Sequence, residues 1–362
     1  MTRVVATWFY EQERAEGGAY AQVSGDSSTQ EFRDVYRRCL AVFFATARRV
    51  VPDARLVVYL NKGWDPSASR VSSEVYGVLE RLGVERQVLP YTFAPPPRWP
   101  AGWRNQFFVF DALRALGRSS DESDPAVLLD SDIVWSGAAA GEAMWDQIGE
   151  RGALTYRVGY GPDHPINGCS RRRLTELAQR LGIESNGVVD YSGGEFVAAR
   201  ADVCLGLVAK AEELWPGVLE RHERGEITQI EEAHLLSLCY SALRIEQGTG
   251  DPFVKRLWTQ PFKHRNVTPE DLDLPLWHVP AEKKYGLRQL YPHTLRPDSS
   301  LWSCPDDAYR RRLGRALGVP ANTRVKVAAD VTRAVAQRIR RAGPSRRRGA
   351  SPRGRDTTRR SR

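Results

Sequence analysis

Val127-Leu128-Leu129-Asp130-Ser131-Asp132-Ile133-Val134 sets an apolar run directly against two carboxylates. The run over residues 126–129 predicts a buried strand. Asp130 and Asp132 then stand at its carboxyl end, the edge where open α/β sheets bind ligands. Residues two apart in an extended chain point the same way, so both acids can face one ligand. Two like charges this close repel unless something neutralises them. A hard divalent cation, Mg²⁺ or Mn²⁺, takes such oxygen ligands and can stabilise a departing diphosphate. The competing reading is a surface turn with two solvated acids, and the apolar lead-in argues against it.

Upstream, residues 4–9 read as a buried first strand. Residues 31–50 carry Phe32, Val35, Tyr36, Leu40, Phe43 and Phe44 at helical spacing. Residues 55–60 and 84–89 predict two more strands, with a helix over 69–82 that stops at Gly83. Residues 103–116 have a helical stripe of Phe107, Phe110, Leu113 and Leu116. Downstream, helices are predicted over 138–148, 174–181 and 231–243, and strands over 153–158 and 196–199. Residues 252–305 are rich in Pro, Trp and His, with weaker periodicity. Strands alternating with helices predict a mostly parallel α/β sheet flanked by helices on both faces, in a domain spanning 1–309.

The formal charge of +9 is unevenly placed. Residues 310–362 hold 18 Lys and Arg against 2 Asp, and residues 1–309 hold 35 against 42. The body is therefore mildly acidic and the basicity belongs to the tail. Within the tail, residues 325–339 predict a basic amphipathic helix, and the Arg-, Ser-, Gly- and Pro-rich stretch beyond Gly343 predicts disorder. Such a tail suits an anionic membrane surface. Nucleic acid is disfavoured as a partner, because no aromatic follows Tyr309 to stack on bases. Arg outnumbers Lys 46 to 7 over the whole chain, so codon bias is an alternative source of the basic tail.

Cys39, Cys169, Cys204, Cys239 and Cys304 are odd in number and scattered, with no Cys-x-x-Cys, which indicates neither a zinc site nor a disulfide framework. The longest apolar run, residues 40–47, is too short to span a bilayer. The N-terminus lacks the pattern of a signal peptide. A reduced, cytoplasmic protein is expected, peripheral at a membrane where the tail binds lipid.

The segment around Asp130 resembles the Asp-x-Asp motif of the GT-A fold nucleotide-diphospho-sugar glycosyltransferases, and further segments follow in an order most similar to the retaining members. The resemblance implies a Rossmann-like sheet and a Mn²⁺- or Mg²⁺-dependent transfer of sugar from a nucleoside-diphosphate donor to an acceptor hydroxyl. The opening strand would meet base and ribose, with Thr7 and Tyr10 as donor contacts beside Ala6 and Trp8. Trp103-Arg104-Asn105-Gln106 resembles the Arg-bearing helix over the donor, which implies donor contacts from Arg104 and Asn105. Asp190-Tyr191-Ser192-Gly193-Gly194-Glu195 is similar to the family's Asn-Ser/Ala-Gly strand entry, where Gly193 and Gly194 would let backbone approach the sugar. Its Asn is replaced here. Trp277-His278 through Lys283-Lys284 resembles the late His-x-x-x-Lys segment. That implies His278 as third metal ligand with Asp130 and Asp132, and Ser131, Lys283 and Lys284 on the diphosphate side. Thr228-Gln229-Ile230-Glu231-Glu232 stands at the acidic helix start that faces the acceptor or transferring sugar, with Glu232 preferred over Glu231 as catalytic carboxylate.

Two other readings stay open. Asp130–Val134 also fits the first motif of haloacid-dehalogenase-like phosphohydrolases, with Asp130 as nucleophile. A non-catalytic GT-A-like sugar-binding module would keep the same fold.

Overall fold

The computed structural model describes residues 1–16, 23, 25–185, 187–226, 230–260 and 264–341. They fall into two units, Met1–Asn322 and the stretch from Thr323 onward. The strands are β1 (Val4–Phe9), β2 (Arg55–Leu60), β3 (Val84–Val88), β4 (Pro125–Leu129), β5 (Ile133–Trp135), β6 (Ala153–Arg157), β7 (Ser192–Arg200), β8 (Val254–Arg256) and β9 (Leu276–His278). The helices are α1 (Gln30–Val50), α2 (Arg70–Arg81), α3 (Phe108–Arg118), α4 (Ala140–Arg151), α5 (Arg171–Arg180), α6 (Ala201–Glu223), α7 (Glu232–Ala242), α8 (Gly286–Thr294), α9 (Ser300–Ser303), α10 (Asp306–Leu317) and α11 (Arg324–Arg341).

Six strands form the main sheet in the order β3-β2-β1-β4-β7-β6. The first four are parallel, as the alternation of strands and helices predicts. β7 enters antiparallel to both β4 and β6. β1, β2 and β4 read as near-continuous apolar runs because both faces of the sheet are covered there. Val5, Phe9, Val58 and Leu129 turn to one side, where α1, α2, α8 and α10 pack. Val4, Ala6, Val57 and Leu128 turn to the other, against α3, α5, α6 and α7. From α1 the fully buried Phe43 and Phe44 each contribute roughly 1.5–3 kcal/mol. A smaller sheet, β5-β9-β8, sits beyond the end of β4.

Three features differ from the sequence-based expectations. Ala101–Phe107 is a 3-10 turn, and α3 begins only at Phe108. The Tyr91 hydroxyl takes the Arg104 carbonyl that an α-helix would use internally. α6 has no counterpart among the predicted helices, because Gly206, Pro216 and Gly217 depress its local helix preference. The first unit reaches past residue 309 to Asn322, since α10 buries Tyr309, Leu313 and Leu317.

Taken by itself, α11 is a basic helix close to the predicted 325–339, with Lys326 and Asp330 paired at 2.5 Å one turn apart. The predicted disorder from Gly343 onward lies outside the described residues, as do Thr228 and Gln229. Among the described residues no helix is long and apolar enough to cross a membrane.

Candidate active site

β4 ends at Leu129 and β5 begins at Ile133, so Asp130-Ser131-Asp132 is the link by which the chain leaves one sheet for the other. Strand register assembles the rest. Ile133 pairs with His278, and His278 pairs with Arg256. Directly paired residues project to the same face of a sheet. From the main sheet, the Asp130 N–H donates to the Glu195 carbonyl at 3.0 Å, which fixes β7 against the link.

His278 Nε2 lies 3.1 Å from Asp132 Oδ2 and 4.0 Å from Asp130 Oδ2. Its Nδ1 lies 3.1 Å from Glu195 Oε1. Lys283 Nζ donates to Asp132 Oδ2 at 2.5 Å, and Arg256 grips Glu195 through two bonds of 2.7 Å. One donor atom from each of Asp130, Asp132 and His278 lies within 4.8 Å of the others. Two carboxylate oxygens and one imidazole nitrogen fit Mn²⁺ or Mg²⁺ chemically.

The charges here are held by pairing. Burial would raise Asp132, but Lys283 and His278 outweigh it and hold the acid well below the usual carboxylate range. Burial would likewise raise Glu195, and Arg256 and His278 hold it down. Burial pulls His278 down, yet Asp132 and Glu195 carry it up to about 9. Asp130 is the more open acid, its side chain 36% exposed. Desolvation and the Asp132 charge push it up to about 6.

Glu231 and Glu232 line the same pocket from the start of α7. The Glu231 N–H donates to His234 Nδ1 at 3.1 Å, and its carboxylate accepts from Asn167 Nδ2 at 2.6 Å and from the Tyr191 hydroxyl. An Asn-Gly turn delivers Asn167: φ is +45° at Asn167 and +99° at Gly168, and Ile166 and Cys169 exchange two backbone bonds around it. Gln106, its amide nitrogen turned toward Glu232, donates to Oε1 at 2.8 Å. Among the described residues neither glutamate forms an ion pair with Lys or Arg. Burial therefore prevails: it pushes Glu231 up to about 7 despite its two donors. Burial and the Glu231 charge push Glu232 well above the carboxylate range.

The glycine pair on β7 has a local cause. A Cβ on Gly193 would lie 2.3 Å from Glu195 Oε2, and one on Gly194 would lie 2.7 Å from Glu232 Oε1. Each glycine makes room for a carboxylate.

Of the residues marked from sequence, Tyr10, Asp130, Ser131, Asp132, Gly194, Glu231, Glu232, His278 and Lys283 line one pocket. Thr7, Arg104, Asn105, Gly193 and Lys284 lie outside its lining. Thr7 is wholly buried, and the following Trp8, Phe9 and Tyr10 line the pocket instead. The 3-10 turn sends Arg104 toward the Pro95 carbonyl, 3.4 Å away, and presents Trp103 and Gln106 instead. Sequence reasoning did not mark Glu195, Arg256, Tyr191 or Asn167. Glu195 had a signal: an acid at the head of the apolar run Phe196–Ala199 must find a partner when buried. Arg256 had none, since its strand is three residues long.

No family model matches the chain, and no curated protein does. Solved structures do match. The galactosyltransferase LgtC, in complex with donor and acceptor sugar analogs, aligns at 11% identity and TM-score 0.45, covering 88% of this chain and 96% of that one. Mouse xyloside xylosyltransferase 1 aligns at 11% and 0.41, covering 77% and 97%. The bifunctional glycosyltransferase WbbM aligns at 9% and 0.48, and the match covers 86% of this chain but 51% of WbbM. This chain is thus similar in overall course to several glycosyltransferases, at identities so low that its chemistry has to be read from its own side chains.

Proposed function

We propose that the protein is a glycosyltransferase that moves a sugar from a nucleoside-diphosphate donor to an acceptor hydroxyl, with Mn²⁺ or Mg²⁺ at Asp130, Asp132 and His278. The observation that carries this reading is the convergence of those three donors at the carboxyl end of β4, inside a pocket that also holds Lys283 and a second acidic pair, Glu231 and Glu232. When bound there, the divalent cation would neutralise the diphosphate as it leaves. Lys283 brings a fixed positive charge to the same side. Trp8 and Tyr10 offer aromatic faces for the base. Glu232 faces the sugar side, where a carboxyl raised by burial and by the Glu231 charge can hold a hydrogen bond to the sugar or the acceptor hydroxyl. Gln106 orients it. Glu231 serves through Glu232, because its own oxygens are taken by Asn167 and Tyr191.

The test is thermal stabilisation by UDP and GDP with and without Mn²⁺, followed by a donor screen that follows nucleoside-diphosphate release. A metal-dependent shift and release lost in Asp132→Ala are expected. Absence of any shift with every nucleoside diphosphate would overturn the reading.

We further propose a cytoplasmic location with attachment to anionic lipid through the basic C-terminal segment. All five cysteines are unpaired, which fits a reducing compartment. α11 exposes Val325, Val331 and Val335 on a helix with six Lys and Arg. A chain ending at Asn322 keeps α10 intact, and should lose sedimentation with anionic vesicles. Unchanged sedimentation removes the lipid proposal.

A further inference from the structure

The carboxylate of Glu195 is 3% exposed, yet it touches neither Asp130 nor Asp132. Both of its oxygens are engaged on the far side of the metal corner. Oε1 and Oε2 each accept a 2.7 Å bond from Arg256, and Oε1 also meets His278 Nδ1 at 3.1 Å. That leaves His278 Nε2 pointing at Asp132 and Asp130. The arrangement is braced on four strands, β6, β7, β8 and β9. Arg256 and His278 are register partners on β8 and β9, the Glu195 carbonyl holds the Asp130 N–H, and the Arg256 N–H donates to the Tyr156 hydroxyl at 3.0 Å. Gly193 supplies the space for the Glu195 side chain.

We propose that Glu195, clamped by Arg256, is a positioning residue that keeps His278 in the Nδ1–H tautomer and so turns the Nε2 lone pair toward the cation held with Asp130 and Asp132. The inference rests on the metal reading above. An imidazole can ligate through Nε2 only when Nδ1 carries the proton, and a carboxylate facing Nδ1 selects that form. A carboxylate free to rotate would select it poorly. The two Arg256 bonds remove that freedom, since guanidinium and carboxylate lock in a plane. Glu195 is not itself a ligand, because both of its oxygens are committed. Its place in the strand entry Ser192-Gly193-Gly194-Glu195 gives that segment a role in building the metal corner.

The experiment uses the full chain and Mn²⁺ alone, read as loss of the free-ion signal in electron paramagnetic resonance. Glu195→Gln keeps the size but turns an amide toward Arg256, and should weaken Mn²⁺ binding by roughly 10–100-fold. Gly193→Ala keeps the carboxylate but displaces it, and should weaken binding in the same direction. Thermal melts establish that both variants are folded. Independently of any variant, ¹⁵N-histidine spectra of the Mg²⁺-loaded wild type should show His278 protonated at Nδ1. Folded variants that bind Mn²⁺ as the wild type does, or an Nε2–H signal from His278, would overturn the positioning role. If the wild type takes up no Mn²⁺, the metal reading itself fails and this inference goes with it. If the wild type binds and Asp132→Ala does not, while both other variants bind normally, the positioning role alone fails.

Discussion

The pocket has two acidic corners built from the same side-chain chemistry, and they are held in opposite states. In the corner of Asp132 and Glu195, every buried carboxylate meets Lys283, Arg256 or His278, and both acids sit below their ordinary range. In the corner of Glu231 and Glu232, the partners are Tyr191, Asn167 and Gln106, which donate hydrogen bonds but no charge. Burial then wins and both acids rise. A buried acid takes its character from whether its neighbours are charged or merely polar. Environments that push acids apart in this way divide labour: Asp132 and Glu195 are held toward the anionic form, which suits a cation, and Glu231 and Glu232 are held toward the protonated form.

The largest effect should come from removing the anionic corner's central acid. Asp132→Ala should abolish Mn²⁺ uptake and lower transfer on the order of 10³-fold, read by calorimetric titration and nucleoside-diphosphate release. Retained Mn²⁺ affinity would break the comparison. Next is the pH dependence of stability. A carboxyl whose folded pKa is raised binds its proton more tightly in the native state, so native stability falls as pH rises from about 4.5 to about 7. Glu231 should contribute about 3 kcal/mol to that fall, and Glu231→Gln should flatten the curve of thermal midpoint against pH. Asp132 and Glu195 act with the opposite sign, and only at pH below that window. A Glu231→Gln curve as steep as wild type would show that burial does not raise Glu231.

Glu232→Gln should lower turnover by about 10²-fold while leaving Mn²⁺ affinity unchanged. A matching fall in Mn²⁺ affinity would mean that the corners are one site rather than two. The smallest effect is expected from Asn167→Ala. It removes one of the two donors to the Glu231 carboxylate and should cost about 1 kcal/mol by chemical denaturation. Full retention of stability would reduce the Asn167 contact to a coincidence of the turn.

The two corners were unequally legible in the sequence. Asp130 and Asp132 were legible because an apolar strand long enough to recognise ends on them. Glu231 and Glu232 were legible as an acidic helix start, although their neutral partners were not. The parallel half of the main sheet could be read from its runs of buried residues. The direction of β7 could not, since apolar patterning is blind to strand polarity. β5, β8 and β9 are three residues each, too short for alternation to show. That hid the pairing which brings Arg256 beside His278. Arg104 was misplaced for a local reason: a single hydroxyl, from Tyr91, takes its carbonyl, and the turn tightens enough to redirect its side chain.

His278 and Asp132 stand 146 residues apart in the chain and meet through a single strand pairing. In terms of folding order, the proposed cation site would therefore be a late product. The parallel core β1–β4 can gather from the first 129 residues, whereas the third ligand emerges only after the chain has laid down β6, β7 and the helices that cover them. Loop closure over so long a span is slow and is rewarded only once the intervening elements are packed. Ion uptake would then report completion: a nascent or truncated chain lacking β9 would lack His278 and also the strand and Lys283 that hold Asp132.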